Sequence, residues 1–284
     1  MAMLVEVDGY PVYVAATELS APVHLPRIVL IHGAQNDHSV WVEQLPWFAA
    51  QGFAVFAPDL PGHGQSSGPL LPSIELMGQW LGRFINTIFP VRSGESPPII
   101  LIGHSMGSLA ALECASDQRE RISALVMVGT AFPMKVSQGL LEQTRLDEAA
   151  AISQIAQWSY APDLPDADEL TRGLRRDRVA VATQLMKSQQ PGVLHSDLNA
   201  CNTYQRGLEC AAMVSCPSLV VAGSKDQMTP PKFAIGLQQK LGADFQTIDG
   251  AGHSMMSEQS LVFCETVLNF LNTPGYSQSS LIKT

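Results

Sequence analysis

Ser105 sits in Gly103-His104-Ser105-Met106-Gly107, a G-x-S-x-G pattern whose mechanics require a strand before it and a helix after it. Both are legible here. Ile99-Ile100-Leu101-Ile102 is a short apolar run, and Met106 to Cys114 reads as a helix. A serine on so tight a turn has a strained backbone, and glycines two residues to either side remove β-carbons that would collide. Its hydroxyl is a poor nucleophile at neutral pH unless a base takes its proton. Histidine suits that task, and a carboxylate then fixes the tautomer of the imidazole and stabilises its charged form.

In open sheets such groups leave the carboxyl ends of different strands. Downstream of Ser105 that places Asp226, in Gly223-Ser224-Lys225-Asp226, and His253, in Gly250-Ala251-Gly252-His253. Each follows an apolar run. Asp249 lies close to His253 in sequence and is the competing carboxylate. Asp59 and His63, in Pro58-Asp59-Leu60-Pro61-Gly62-His63-Gly64, read as shapers of a turn. His32 reads as a hydrogen-bonding support for the loop after it, and His104 as a packing residue. For His38 and His195 the chain supplies no partner. Asn36 and Asp37 read as a solvated loop. Trp41, Met106, Met134, Met228, Met255 and Met256 are candidates for an apolar pocket or for core, and Met106 belongs near the pocket through its place beside Ser105.

The elements that must hold these groups alternate. Residues 3–17 form a hairpin around Asp8-Gly9. Strands follow at Arg27–Ile31, Phe53–Ala57, Ile99–Ile102, Ala124–Val128, Pro217–Gly223 and Phe245–Ile248. Helices are expected at Val40–Gln51, closed by Gly52, over Ile74–Ile88, at Met106–Cys114, Lys232–Leu241 and Leu261–Leu271. Residues 90–98 are a loop, and the tail from Thr273 is loosely ordered. Alternating strands and helices imply an α/β fold with a mostly parallel, doubly wound sheet covered on both faces. The rhythm breaks between about Phe132 and Met213, which reads as an inserted helical cap. The expected organisation is therefore a core at 1–131, a cap at 132–213 and the rest of the core at 214–284.

Composition narrows the field of partners. Hydrophobic residues make up 46% and charged residues 15%, ordinary for a soluble enzyme, and the net charge of −9 includes no basic block. Nucleic acid and anionic membrane surfaces are poor partners for such a chain. The start lacks a signal peptide's basic and apolar regions, and no apolar run is long enough to span a bilayer. The five cysteines are odd in number and show no C-x-x-C, so a cytoplasmic location is the default.

Taken in order, His32-Gly33, the Pro58–Gly64 turn, the Ser105 elbow, Gly223-x-x-Asp226 and Gly252-His253 resemble the α/β-hydrolase superfamily over nearly the whole chain. The order Ser, Asp, His belongs to its serine hydrolases. The resemblance implies a nucleophile at Ser105, a base at His253, an orienting acid at Asp226, and an oxyanion hole from the backbone N–H groups of Met106 and Ala34. In some members the acid follows the strand after the nucleophile helix, where this chain has Gly129-Thr130-Ala131. It implies no metal or organic cofactor, and a small-molecule ester or related acyl substrate, the few aromatics of the insertion favouring a small or aliphatic acyl partner. Dehalogenases and epoxide hydrolases of this fold carry Asp at the nucleophile position, and prolyl aminopeptidases a Trp-containing elbow. Carbon–carbon bond hydrolases of ring-cleavage products, with Trp after the base where this chain has Ser254, stay as an alternative. So do acyl transfer to an alcohol and a non-catalytic ligand receptor on the same fold.

Overall fold

The computed structural model describes residues 1–18, 25–91 and 97–273. Part of the expected loop at 90–98 and all of the tail beyond Thr273 lie outside the described residues.

A hairpin opens the chain, β1 (Ala2–Val7) and β2 (Tyr10–Ala16), turning on Asp8 and Gly9 with φ of 54° and 84°. Then come β3 (Arg27–Ile31), α1 (Gln44–Ala50), β4 (Ala54–Pro58), α2 (Ile74–Ile88), β5 (Ile99–His104), α3 (Met106–Asp117) and β6 (Ile122–Val128). Five helices follow without a strand: α4 (Gln138–Leu146), α5 (Glu148–Trp158), α6 (Glu169–Ser188), α7 (Val193–Thr203) and α8 (Gly207–Met213). The alternation resumes with β7 (Ser218–Gly223), α9 (Ile235–Leu241), β8 (Asp244–Ile248), α10 (Met255–Glu258) and α11 (Ser260–Leu271).

Among the described residues the strands form one sheet in the order β1-β2-β4-β3-β5-β6-β7-β8. The hairpin joins antiparallel, through β2 against β4, and every pairing from β4 to β8 is parallel. The inner strands β3, β4, β5 and β7 are buried along their whole length. That is why they read as continuous apolar runs: helices cover both faces, so no position points to water. One face packs against α2, α3, α8 and α9, with Trp80 stacked on Phe84 at 5.4 Å. The other carries α1 and α11, with Phe48, Phe263 and Trp41 in its core.

Helix α2 follows its sequence pattern. Ser73 caps it by accepting the Leu76 N–H, and Ile74, Met77, Trp80, Leu81, Phe84 and Ile85 are buried. Two helices are shorter than expected. Val40–Gln51 divides into a single tight turn at His38–Trp41 and α1, because Pro46 can occupy only the first turn of a helix. Lys232–Leu241 likewise begins as a tight turn at Pro231–Phe233 before α9. Gly52 does close α1, with φ of 87° and its N–H on Ala49 O.

The inserted helices have a core of their own, built on Leu141, Ile152, Ile155, Val179, Met186 and Leu194. Helix α8 departs from that group and packs back against α3 and α9. No helix among the described residues is long and apolar enough to cross a membrane.

Glycine is required at the elbow. A β-carbon on Gly103 would strike the Gly107 carbonyl, and one on Gly107 would strike the carbonyls of Ile31 and His32. Backbone atoms cannot step aside as a flexible side chain can. Gly103→Ala is therefore expected to cost about 1–3 kcal/mol, read as a lower denaturant midpoint. Gly139→Ala, in the first turn of α4 with nothing within 4 Å of the added carbon, should be neutral or stabilise by about 0.5–1 kcal/mol.

Candidate active site

Strand β5 ends at His104, α3 begins at Met106, and Ser105 between them has φ 53° and ψ −119°. A non-glycine residue at positive φ is costly, by roughly 1–2 kcal/mol. Neighbouring strands and the helix hold it there. The Ser105 N–H donates to Val128 O on β6, and its carbonyl accepts the Ser108 N–H and, at 2.6 Å, the Ser108 hydroxyl. Ser108 Oγ also lies 2.8 Å from Thr130 Oγ1, so the elbow is tied to the end of β6.

Asp226 and His253 leave the ends of β7 and β8, and the structure brings them together. His253 Nδ1 lies 2.8 Å from Asp226 Oδ2. Thr229 completes the arrangement: its hydroxyl donates to Asp226 Oδ2, while its own N–H and that of Met228 reach Asp226 Oδ1. Burial alone would push the Asp226 carboxyl up. The charge of His253 and the hydrogen bonds from His253 and Thr229 outweigh it and hold the group down at about 2. Asp249 takes no part in this. It is exposed and accepts from Ser224 Oγ. The place after β6 is taken by Gly129, where a β-carbon would come within 3.1 Å of the His253 ring.

Ser105 and His253 are both walls of one cavity of about 700 Å³, a size typical of small-molecule sites. Among the described residues both hydrogen bonds of the His253 ring are made by Nδ1, to Asp226 and Thr229, and none joins Nε2 to Ser105 Oγ. Such contacts are often long before substrate arrives. Ala34, in the loop after β3, also lines the cavity. Neither its N–H nor that of Met106 meets a backbone acceptor among the described residues, as expected for the first N–H of a helix in the case of Met106.

The histidines near the site divide by what surrounds them. His32 Nε2 accepts the Leu60 N–H, so Nδ1 carries the proton and donates to Gly33 O. Burial, reinforced by nearby His63, lowers it to about 4, and it works as a neutral brace. His104 is lowered to about 3, mainly by burial and then by His253. Its Nε2 donates to the His253 carbonyl at 3.0 Å, so it fastens the His253 loop besides packing. His38, without a partner in the sequence reading, lies 2.8 Å from Asp59, which also accepts the N–H groups of His38 and Gln65. His195 is held between Thr144 Oγ1 and Arg145 Nε inside the insertion.

Asp37, His38 and Asp59 lie near enough together to be tested as a cation site. Their carboxylate oxygens already accept from His38, Ser39, Gln65 and Gln189. The cluster is a hydrogen-bonded turn, as the Pro58–Gly64 reading expected of Asp59.

The inserted helices supply much of the cavity wall, through Leu140, Ile155, Leu185, Leu194 and Leu198, with Trp158 and Tyr160 as its aromatics. Met134, Met228 and Met256 line it; Trp41 and Met255 do not. Met106 is a correction. Its side chain is fully buried in the core with Leu109 and Leu101 and forms no part of the wall, because α3 turns it onto the sheet. Thr229, Glu258 and Asp197 escaped the sequence reading. Glu258 accepts the Gly252 N–H beside His253 and the Ala161 N–H of the insertion. Asp197 accepts from Gln35 and pairs with His63. Of these only Thr229, three residues after Asp226 in a turn, had a local signal.

Because the Asp226 carboxyl sits below its unfolded value of about 3.9, its contribution to stability is complete above that value and is lost as pH falls toward 2. The thermal midpoint of the wild type should therefore fall more steeply between pH 5 and pH 2 than that of Asp226→Asn. Parallel curves would mean the carboxyl is not held low.

A family model described as the alpha/beta hydrolase family matches residues 28–266. A Mycoplasma pneumoniae protein bearing an esterase/lipase name is 27% identical over 255 residues, covering 87% of this chain and 89% of its own. The 3-oxoadipate enol-lactonase 1 of Acinetobacter baylyi is 24% identical over 261 residues, covering 91% and 93%. Among solved structures, an esterase from Exiguobacterium antarcticum superposes with a TM-score of 0.80 at 19% identity, covering 96% of this chain and 100% of its own. With its mostly parallel sheet and flanking helices, the chain belongs to the alpha/beta hydrolase family and is a hydrolase.

Proposed function

We propose that the protein is a serine esterase that cleaves carboxylic esters or related acyl compounds through an acyl-enzyme. The observation that carries this reading is the strained Ser105 elbow, sharing one cavity with a histidine whose far nitrogen is bonded to a buried carboxylate at 2.8 Å. Ser105 Oγ attacks the carbonyl carbon as His253 Nε2 takes the hydroxyl proton. Asp226 keeps the proton of Nδ1 in place and balances the imidazolium. The Ala34 and Met106 N–H groups receive the negative charge that develops on the carbonyl oxygen, each donor worth roughly 3–4 kcal/mol of barrier. His253 then returns its proton to the departing alcohol. A water, deprotonated by the same nitrogen, releases the acid and restores the serine.

The helical insertion acts as a cap. It roofs the cavity, excludes water and sets the size of the group admitted. Its leucine-rich wall supports an aliphatic acyl or alcohol portion. A lactone is an ester closed on itself and falls within the same chemistry. The cysteine usage of the chain supports residence in the cytoplasm.

p-Nitrophenyl esters of graded acyl length test the proposal. Each added methylene that enters the cavity should raise kcat/KM by about fourfold, from about 0.8 kcal/mol of burial, until the cavity is full. Ser105→Ala should lower kcat by at least about 10³-fold and abolish covalent labelling by a fluorophosphonate. Undiminished turnover in that variant would reject the nucleophile. Saturable binding without any turnover in the wild type would favour a receptor.

A further inference from the structure

We propose that Asp197, on helix α7 of the insertion, is a positioning residue for the loop that carries the Ala34 N–H. The proposal rests on the oxyanion role given to Ala34 above.

The peptide unit between Ala34 and Gln35 is held at both ends. Its carbonyl, on Ala34, accepts from Asn36 Nδ2 at 3.1 Å. Its N–H, on Gln35, donates to Asp197 Oδ2 at 2.8 Å, across 162 residues of sequence. Gln35 has φ of 57°, a left-handed conformation unfavourable for a side-chain-bearing residue. A loop strained in that way needs fixed partners to stay in one geometry. The Gln35 side chain adds a further tie, donating through Nε2 to Met186 O near the end of α6. Rotation of the Ala34–Gln35 plane would swing the neighbouring Ala34 N–H, so the hold on Gln35 is a hold on the proposed donor.

Asp197 is itself fixed. It is fully buried, and the same Oδ2 lies 2.9 Å from His63 Nε2, whose Nδ1 reaches Pro61 O at 3.1 Å. Burial would lower His63, yet the adjoining Asp197 carboxylate raises it above its ordinary value. Both ring nitrogens of His63 thus face acceptors, Pro61 O and Asp197 Oδ2, and the buried ring is held against the buried carboxylate. Breaking one half of such a pair is costly, which keeps Asp197 in a single position. Two turns of the core, at Gln35 and His63, therefore converge on one oxygen supplied by the insertion. That convergence makes the insertion part of the catalytic geometry as well as its roof.

Asp197→Ala and the isosteric Asp197→Asn separate this role from plain stability. In each, the second-order rate of Ser105 labelling by a fluorophosphonate is measured, and kcat and KM are expressed per labelled site. Displacing a donor by a fraction of an ångström to one ångström should slow both labelling and kcat by roughly 10–100-fold in Asp197→Ala. KM should stay within about threefold, since the donor acts mainly on the transition state. Asp197→Asn, which keeps an acceptor but loses the charge facing His63, should fall between that variant and the wild type. A lower thermal midpoint is expected in both and decides nothing. Labelling rate and kcat per site unchanged in both variants would overturn the proposal, and Asp197→Asn alone decides if Asp197→Ala does not fold. A wild type that labels at Ser105 but hydrolyses no ester would instead overturn the esterase reading, leaving the labelling rates to judge Asp197.

Discussion

Everything in this molecule turns on holding one residue, Ser105, in a backbone conformation it would not adopt alone. The cost is met by the register of three parallel strands. Strand β5 delivers the serine, β6 receives its N–H through Val128, and β3 lies so close that only glycine fits at 107. The side chains of these strands interdigitate with helices on both faces of the sheet, and that close packing holds the register. The strain at the elbow is small against the packing of the two sheet faces, so the fold can sustain it.

The remaining parts of the site are loops pinned by polar contacts at the same edge of the sheet. His32 braces the turn that contains Leu60, His104 fastens the carbonyl of His253, and Thr229 fixes both Asp226 and His253. The inserted helices take part through Asp197 on one side and Ala161 on the other, where Glu258 bridges to the residue before His253. Ser159 O also receives the Ser254 N–H at 2.7 Å. The insertion therefore grips both the loop after β3 and the loop after β8.

Much of this was legible in the sequence because the signals are local or strictly ordered. Buried parallel strands announce themselves as apolar runs, and the elbow by its glycines. Asp226 and His253 follow strands, where ligating and catalytic loops leave an open sheet. Local reading failed where distant parts meet. Nothing about Asp197 within its helix marks it as the partner of residues 162 and 134 positions away. His38 gained Asp59 only when β4 was laid beside β3. Met106, adjacent to the serine in sequence, belongs to the core because adjacency along a helix start does not mean a shared direction. The split of the helix at 40–51 followed from Pro46, whose meaning depends on which turn it occupies.

The most direct measurement is a crystal structure of the protein after reaction with an alkyl fluorophosphonate. The account predicts phosphorus on Ser105 Oγ, with its phosphoryl oxygen about 2.7–3.1 Å from both the Ala34 and Met106 nitrogens. His253 Nε2 should then lie within hydrogen-bond reach of the adduct, its Nδ1 still bonded to Asp226. An adduct on another residue, or one whose oxygen meets neither N–H while His253 stays out of reach, would contradict it.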